Sequence, residues 1–313
     1  MVQVFLWLTI TWKNITDKFI SAVKMFVSLR TRILCMLLAR CDYQHIVAFA
    51  RILHFCIPAR RQDKLLQHVA NENRRCLLGE PGTRIDYIWI NKRRRILELA
   101  ATWGANRALR GQLATCTQAL NAIVGPLHDA GCPVVLAPLH MVSDVLAGIV
   151  GSNVYPGEAT IIVSSSAQQF PPGNGIPITY CSIHDNEHQI ASNLLMSLEQ
   201  AVEHKRNIML FPDITPDFTH QANISGSAKA KHVLFNRTAH LHNGIVRISR
   251  MMAAQVVFFY LYYDKGIKIF IYPPVSYREV NQKLPVIIEQ SIVNHPDEWL
   301  LWHTHSLFFF NEC

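Results

Sequence analysis

Charge is scarce in this chain. Only 17% of its 313 residues are charged, and acids are the rarer sign, 22 Asp and Glu against 30 Lys and Arg, leaving a net charge of +8. Nucleic-acid binders are usually rich in charge and poor in apolar residues. Here half of the residues are hydrophobic and the mean hydropathy is +0.13, so the composition argues against nucleic acid and for an anionic membrane surface. None of the eight cysteines (Cys35, Cys41, Cys56, Cys76, Cys116, Cys132, Cys181, Cys313) pairs with another at C-x-x-C spacing. Several sit in apolar runs, which reads as reduced core thiols in a cytosolic compartment. Long hydrophobic runs are also missing. The stretch Phe5 to Ile10 is interrupted by Lys13, Asp17 and Lys18, well short of the roughly 20 residues that span a bilayer. With no basic region ahead of it and no small-residue cleavage site, a signal peptide is not expected. The sequons at Asn14, Asn223 and Asn236 carry little weight without one, and there is neither an internal repeat nor a low-complexity tract.

The N-terminal segment reads as a pair of amphipathic helices. Phe19, Val23, Phe26 and Ile33 or Leu34 recur near helical spacing, and Lys13, Lys18, Lys24, Arg30, Arg32 and Arg40 supply a cationic face. That pattern suits a helix lying in the membrane interface, and equally a basic surface helix packed on a soluble core. Residues 1–110 read as helical throughout, with a break at Gly79-Glu80-Pro81-Gly82. Arg93-Arg94-Arg95 is most simply a solvated helix face. From Thr117 the pattern changes to helix 117–130, strand 134–137, helix 142–150, strand 159–164, strand 178–183, helix 185–204 and strand 207–211. An extended loop over 214–231, a helix over 243–252, and a hairpin of strands 255–262 and 268–272 about Asp264-Lys265-Gly266 follow. Strands alternating with helices predict an α/β fold with a largely parallel sheet and crossover helices. The expected organisation is a helical membrane-association region, 1–110, joined in one compact unit to an α/β domain over 111–313.

The stretch Pro133 to Asp144, PVVLAPLHMVSD, concentrates the chemistry. A short β-forming run delivers His140 to a strand-to-helix turn, and the carboxyl ends of parallel strands are where α/β proteins bind ligands. Asp144, four residues on, falls on the same helical face. A carboxylate beside an imidazole fixes its tautomer and stabilises its cation, making a general base. In the plainer alternative, Asp144 only satisfies backbone donors at the helix start. A second motif, His184-Asp185-Asn186-Glu187-His188, fits the H-x-x-E-H pattern of inverted zinc peptidases. It requires both histidines on one helical face and a distant third ligand such as Glu279 or Glu289. With Asp185 as the helix cap, His184 falls in the preceding strand end, so no metal is expected.

Four stretches follow one another over residues 117–305: Leu120 to His140 (LNAIVGPLHDAGCPVVLAPLH), 207–213 (NIMLFPD), His232 to Val275, and His295 to His305 (HPDEWLLWHTH). Their order resembles the lysophospholipid acyltransferase superfamily, most closely its lipid A late-acyltransferase branch of lauroyl and myristoyl transferases. The chain departs from the family pattern in three ways. The acid stands four residues after the histidine instead of five, where this chain has Val145; Ile214 replaces a glutamine after Pro212-Asp213; and the arginine expected in the following loop is absent, with Lys229 and Lys231 as its candidate substitutes. The resemblance implies direct acyl transfer at the cytoplasmic face of the bacterial inner membrane, by a peripheral or monotopic protein. His140 would take a proton from a hydroxyl of a lipid or glycolipid acceptor, held by Asp144. The alkoxide would attack the thioester of an acyl carrier protein or CoA, with Asp213, Lys229, Lys231 and Arg237 on the substrates. It implies no cofactor beyond that co-substrate and no nucleic-acid partner. A lipid- or acyl-carrier-binding protein that keeps the fold without catalysis, and transfer to an amine or secondary metabolite, are the alternatives.

Overall fold

The computed structural model describes residues 13, 16–21, 25, 29, 32–79, 84–163, 178–182, 187–214 and 229–304. Helices α1 (Tyr43–Cys56), α2 (Arg61–Leu78), α3 (Tyr87–Ala101) and α4 (Arg107–Asp129) precede strand β1 (Val134–Pro138). Then come α5 (Asp144–Ser152), β2 (Ala159–Val163), β3 (Ile178–Ser182), α6 (Glu187–Val202) and β4 (Asn207–Met209). The remainder is β5 (Lys229–Leu234), β6 (Arg237–His242), α7 (Gly244–Met251), β7 (Gln255–Tyr263), β8 (Ile267–Ile271), β9 (Val275–Ser276) and α8 (Val280–Asn294).

Caps set several boundaries that apolar periodicity misplaces. Helix α4 starts ten residues before the expected 117 because the Asn106 side chain accepts from Leu109 N–H, and its stripe Leu109, Leu113, Cys116, Leu120, Val124 is buried from the first turn. Helix α5 starts at Asp144 because Ser143, in extended backbone, accepts from Leu146 N–H. Positions 229–231 of the expected 214–231 loop are strand instead, while 215–228 lie outside the described residues. Strand β5 begins at Lys229 and pairs antiparallel with β6. Its turn, Phe235-Asn236, takes positive φ at both positions (52° and 58°). Asn-Gly is the usual signal for such a turn, and phenylalanine gives none.

The seven-stranded sheet has the order β3-β2-β4-β1-β7-β8, with β9 also on β7. All pairings from β3 to β7 are parallel, and β8 and β9 are antiparallel to β7. Strands β1 and β7 are buried along nearly their whole length, as expected where helices cover both faces of a sheet. Side chains alternate between two cores. Val135, Ala137, Ile208, Val256 and Phe258 pack with α6, α7 and α8, while Val134, Leu136, Met209, Val257 and Phe259 pack with α4 and α5. The chain leaves β1 toward β2 through α5 on one face, and β4 toward β7 through α7 on the other. Connections leaving to opposite faces make the carboxyl ends of β1 and β4 a topological switch point, the place where open α/β sheets bind ligands.

The helical region is built into this core. Leu38, Tyr43, Ile46 and Ala50 share a cluster with Val257, Leu261 and Ile267, and α3 contributes Tyr87 and Ile90 to one core and Ile96, Leu97 and Ala100 to the other. The described positions from 13 to 40 are helical. Of the stripe named above, Phe19 and Ile33 are exposed, while Val23 and Phe26 lie outside the described residues. Among the described residues, no helix is long and apolar enough to cross a membrane.

Candidate functional site

His140 stands two residues beyond β1, with the main chain still held on both sides. Leu139 N–H donates to the Phe259 carbonyl at 3.0 Å, Leu300 N–H donates to the His140 carbonyl at 2.8 Å, and Val142 N–H donates to the Glu298 carbonyl at 3.0 Å. Val142 takes φ 62°, turning the chain from strand to helix start. A β-branched residue in that region costs on the order of 1–2 kcal/mol, which the bonds on either side offset.

The acid that reaches the imidazole comes from the segment that follows the neighbouring strand β4. Asp213, four residues past β4 and fully buried, lies with Oδ1 2.7 Å from His140 Nδ1. It also accepts the His140 main-chain N–H, at 3.0 Å to Oδ2 and 3.3 Å to Oδ1, and the Trp299 indole N–H at 3.1 Å to Oδ2. A carboxylate only accepts, so Nδ1 carries the proton and the lone pair of the neutral ring is on Nε2. Burial works against the imidazolium, but the charge and hydrogen bond of Asp213, helped by Asp144, outweigh it and raise the pKa above that of a free histidine. The ring packs against Phe211, 4.6 Å between centroids, and keeps 14% of its side-chain surface exposed. A hydrogen-bonded base with a partly open ring can take a proton from an incoming hydroxyl or water.

Asp144, expected to hold the imidazole, does not. Residue 144 opens α5 after the Ser143 cap, and its carboxylate turns to α3, with Oδ1 3.8 Å from Arg94 Nε. Arg94 also meets Glu98 at 3.0 Å, and Glu98 accepts the Ser143 hydroxyl at 2.8 Å. Burial pushes the Glu98 carboxyl up, with Arg94 pulling it back. Asp144 therefore acts on His140 through its charge alone. The arginine run is likewise not a solvated face throughout: Arg95 is exposed, but Arg93 is buried in an ion pair with the buried Glu298 and lies over the Tyr263 ring.

The proposed substrate-binding cations are on the β5–β6 hairpin. Lys231 is exposed there, opposite His240, and the hairpin is tied to α8 by Phe235 N–H donating to Glu289 Oε2 at 3.0 Å. Arg237, also exposed, places Nη1 2.9 Å from Cys76 Sγ at the hairpin's turn end. Lys229 pairs through its backbone with His242, and its side chain lies outside the described residues. Among the predicted substrate-side residues whose side chains are described, Asp213 is thus the one that the structure brings to His140. His184 and Asp185 of the zinc motif lie outside the described residues, and Glu289 is taken up by the hairpin. A surface hollow of about 280 Å³ on α8 is lined by Val286, Glu289, Gln290, Val293 and Asn294, and His140, Asp144, Asp213, Lys231 and Arg237 are not among its lining residues. Cys35 and Cys116 are buried, as expected of core thiols, whereas Cys56 and Cys76 are exposed.

Sequence reasoning passed over Phe211, Trp299, Glu298 and Arg93. The stretches NIMLFPD, which holds Phe211, and HPDEWLLWHTH, which holds Glu298 and Trp299, offered a signal only through the family resemblance, and Arg93 was read as part of a solvated face. Compared with protein-family models the chain matches none, and it matches no curated protein.

Proposed function

We propose that this protein is a membrane-associated acyltransferase in which His140 is the general base, oriented by Asp213. The observation that carries the reading is the Nδ1···Asp213 bond of 2.7 Å at the switch point of the sheet. The hydroxyl nearest in sequence, Ser143, is committed to Glu98 and to capping α5, which makes it a poor nucleophile. A base so placed suits an external nucleophile. The acceptor hydroxyl gives its proton to Nε2, its oxygen bonds to the thioester carbonyl carbon, and the carbon–sulfur bond breaks. The thiolate leaves with the proton.

The resemblance of 117–305 to the lipid A late acyltransferases supports a fatty acyl donor, carried by acyl carrier protein or CoA, and a lipid or glycolipid acceptor. Exposed apolar side chains support a membrane contact. Phe19, Met25, Leu29 and Met36 are exposed on the N-terminal helical stretch, and Ile52, Phe55 and Leu65 on α1 and α2, among exposed Arg51, Arg60, Arg61 and Lys64. Apolar groups rimmed by cations suit an anionic bilayer.

The test is mass spectrometry of a phosphorylated glycolipid in vesicles, incubated with acyl-carrier-protein thioester and the full chain. A product heavier by one acyl group, lost in His140→Ala, supports the reading. Binding of thioester or lipid with no mass gain, in wild type and variant alike, would replace it with a non-catalytic carrier. Acylation of added amines alone would move the acceptor class.

A further inference from the structure

We infer that Trp299 is a positioning residue for the His140–Asp213 dyad, held on target by a C-terminal strap that the N-terminal helices anchor. The inference rests on the functional reading only for its kinetic consequence.

The strap is residues 295–304. Met141 and Trp299 form an antiparallel bridge, and the main-chain bonds from Leu300 to His140 and from Val142 to Glu298 flank it. The segment that carries the indole is therefore stitched to the segment that carries the imidazole. The indole itself is 2% exposed and packs edge-on against Trp302, 5.0 Å between centroids at 82°. A large ring fixed on both sides aims its N–H in one direction, here at Asp213 Oδ2. With the His140 main-chain N–H on the same oxygen, this leaves Oδ1 turned to the imidazole.

Four side chains on α2 and α3 anchor the strap from the other side. Arg74 pairs with Asp297, Arg93 with Glu298, Asn73 Nδ2 donates to the Trp302 carbonyl at 2.7 Å, and the Tyr87 hydroxyl lies 2.6 Å from His303 Nδ1. Arg74, Arg93 and Asn73 are themselves buried. The helical region thus does more than present a surface: it fixes the support of the dyad.

Side-chain NMR of the full chain tests this without any substrate. The Trp299 indole N–H resonance must titrate with the midpoint of His140, while that of Trp302, which donates to the Pro296 carbonyl, must not. Trp299→Phe keeps a ring in the packing but removes the donor, leaving more of the Asp213 charge facing Nδ1. The His140 midpoint then rises, by about half a pH unit, and the acid limb of transfer moves with it. A Trp299 indole indifferent to the His140 midpoint, or a midpoint unchanged or lowered in a folded Trp299→Phe, overturns the inference. If Trp299→Phe does not fold, the wild-type titration still decides. Absence of acyl transfer with the indole coupling intact would sink the functional reading and leave the positioning role standing.

Discussion

Strand β4 has a hydrogen-bonded histidine at each end, and the two are tuned in opposite directions. At its carboxyl end, Asp213 meets His140, and a carboxylate raises the imidazole's pKa against the cost of burial. At its amino end, Asn207 Oδ1 lies 2.9 Å from His128 Nε2, His204 Nδ1 lies 3.0 Å from His128 Nδ1, and the ring of Tyr155 lies edge-on to His128. Asn207 Nδ2 donates to the Tyr155 carbonyl, so its oxygen accepts from His128 Nε2–H, and His128 Nδ1 accepts from His204. Burial, with no carboxylate bonded to the ring, lowers the His128 pKa. One site favours a cation and the other a neutral ring. Placement of a single acid separates a candidate base from a structural pin, and it falls at the end where α/β sheets bind ligands.

The comparison breaks most sharply at His140. His140→Ala is expected to lower transfer by about 10²–10⁴-fold with the fold intact, whereas His128→Ala lowers thermal stability and leaves the rate per folded molecule within a few-fold. Mass-spectrometric rates alongside thermal melts check both. Substituting the two acids separates bonding from proximity. Asp213→Asn is expected to cost about 10²-fold, and to move the acid limb of the rate to lower pH because burial is then nearly unopposed. Asp144→Asn, removing only a distant charge, is expected to cost less than about tenfold. Equal losses would mean that Asp144 reaches the ring during the reaction.

Glu298→Leu sharpens the comparison through stability. It strands the buried Arg93 charge beneath the strap, an expected loss of about 3–5 kcal/mol measured by denaturant unfolding. The smallest effect is in the pH dependence of that stability. A folded-state pKa raised at His140 contributes stability present below the unfolded histidine value of about 6.5 and lost as pH rises through the folded value. A pKa lowered at His128 does the reverse, its contribution being lost as pH falls from about 6.5 through the folded value. Melting His140→Gln and His128→Gln across pH 4–9 should flatten opposite sides of the wild-type curve. Flattening on the same side for both would contradict the assignment.

Much of the α/β pattern was legible because it rests on local periodicity. β1, β2, β3 and β7 fall within a residue of expectation since apolar β-branched and aromatic runs are short and bounded, and the Asp264-Lys265-Gly266 turn falls where expected, although Lys265 is the residue at positive φ (54°). The β5–β6 hairpin was not legible, because tertiary support holds Phe235 and Asn236 at positive φ where the residues themselves announce nothing.

What the sequence determined by itself is the strand-turn-helix that presents His140, since β-propensity, Pro138 and the Ser143 cap all act within a dozen residues. Which acid serves the imidazole was decided only in three dimensions. Asp144 was near in sequence and on the expected face, but the Ser143 cap fixed the helix start so that its carboxylate meets Arg94. Asp213, 73 residues away, was delivered by the parallel pairing of β4 with β1, and Trp299 by the strap after α8. Contacts between distant segments depend on sheet order and strand register, and no local pattern encodes either.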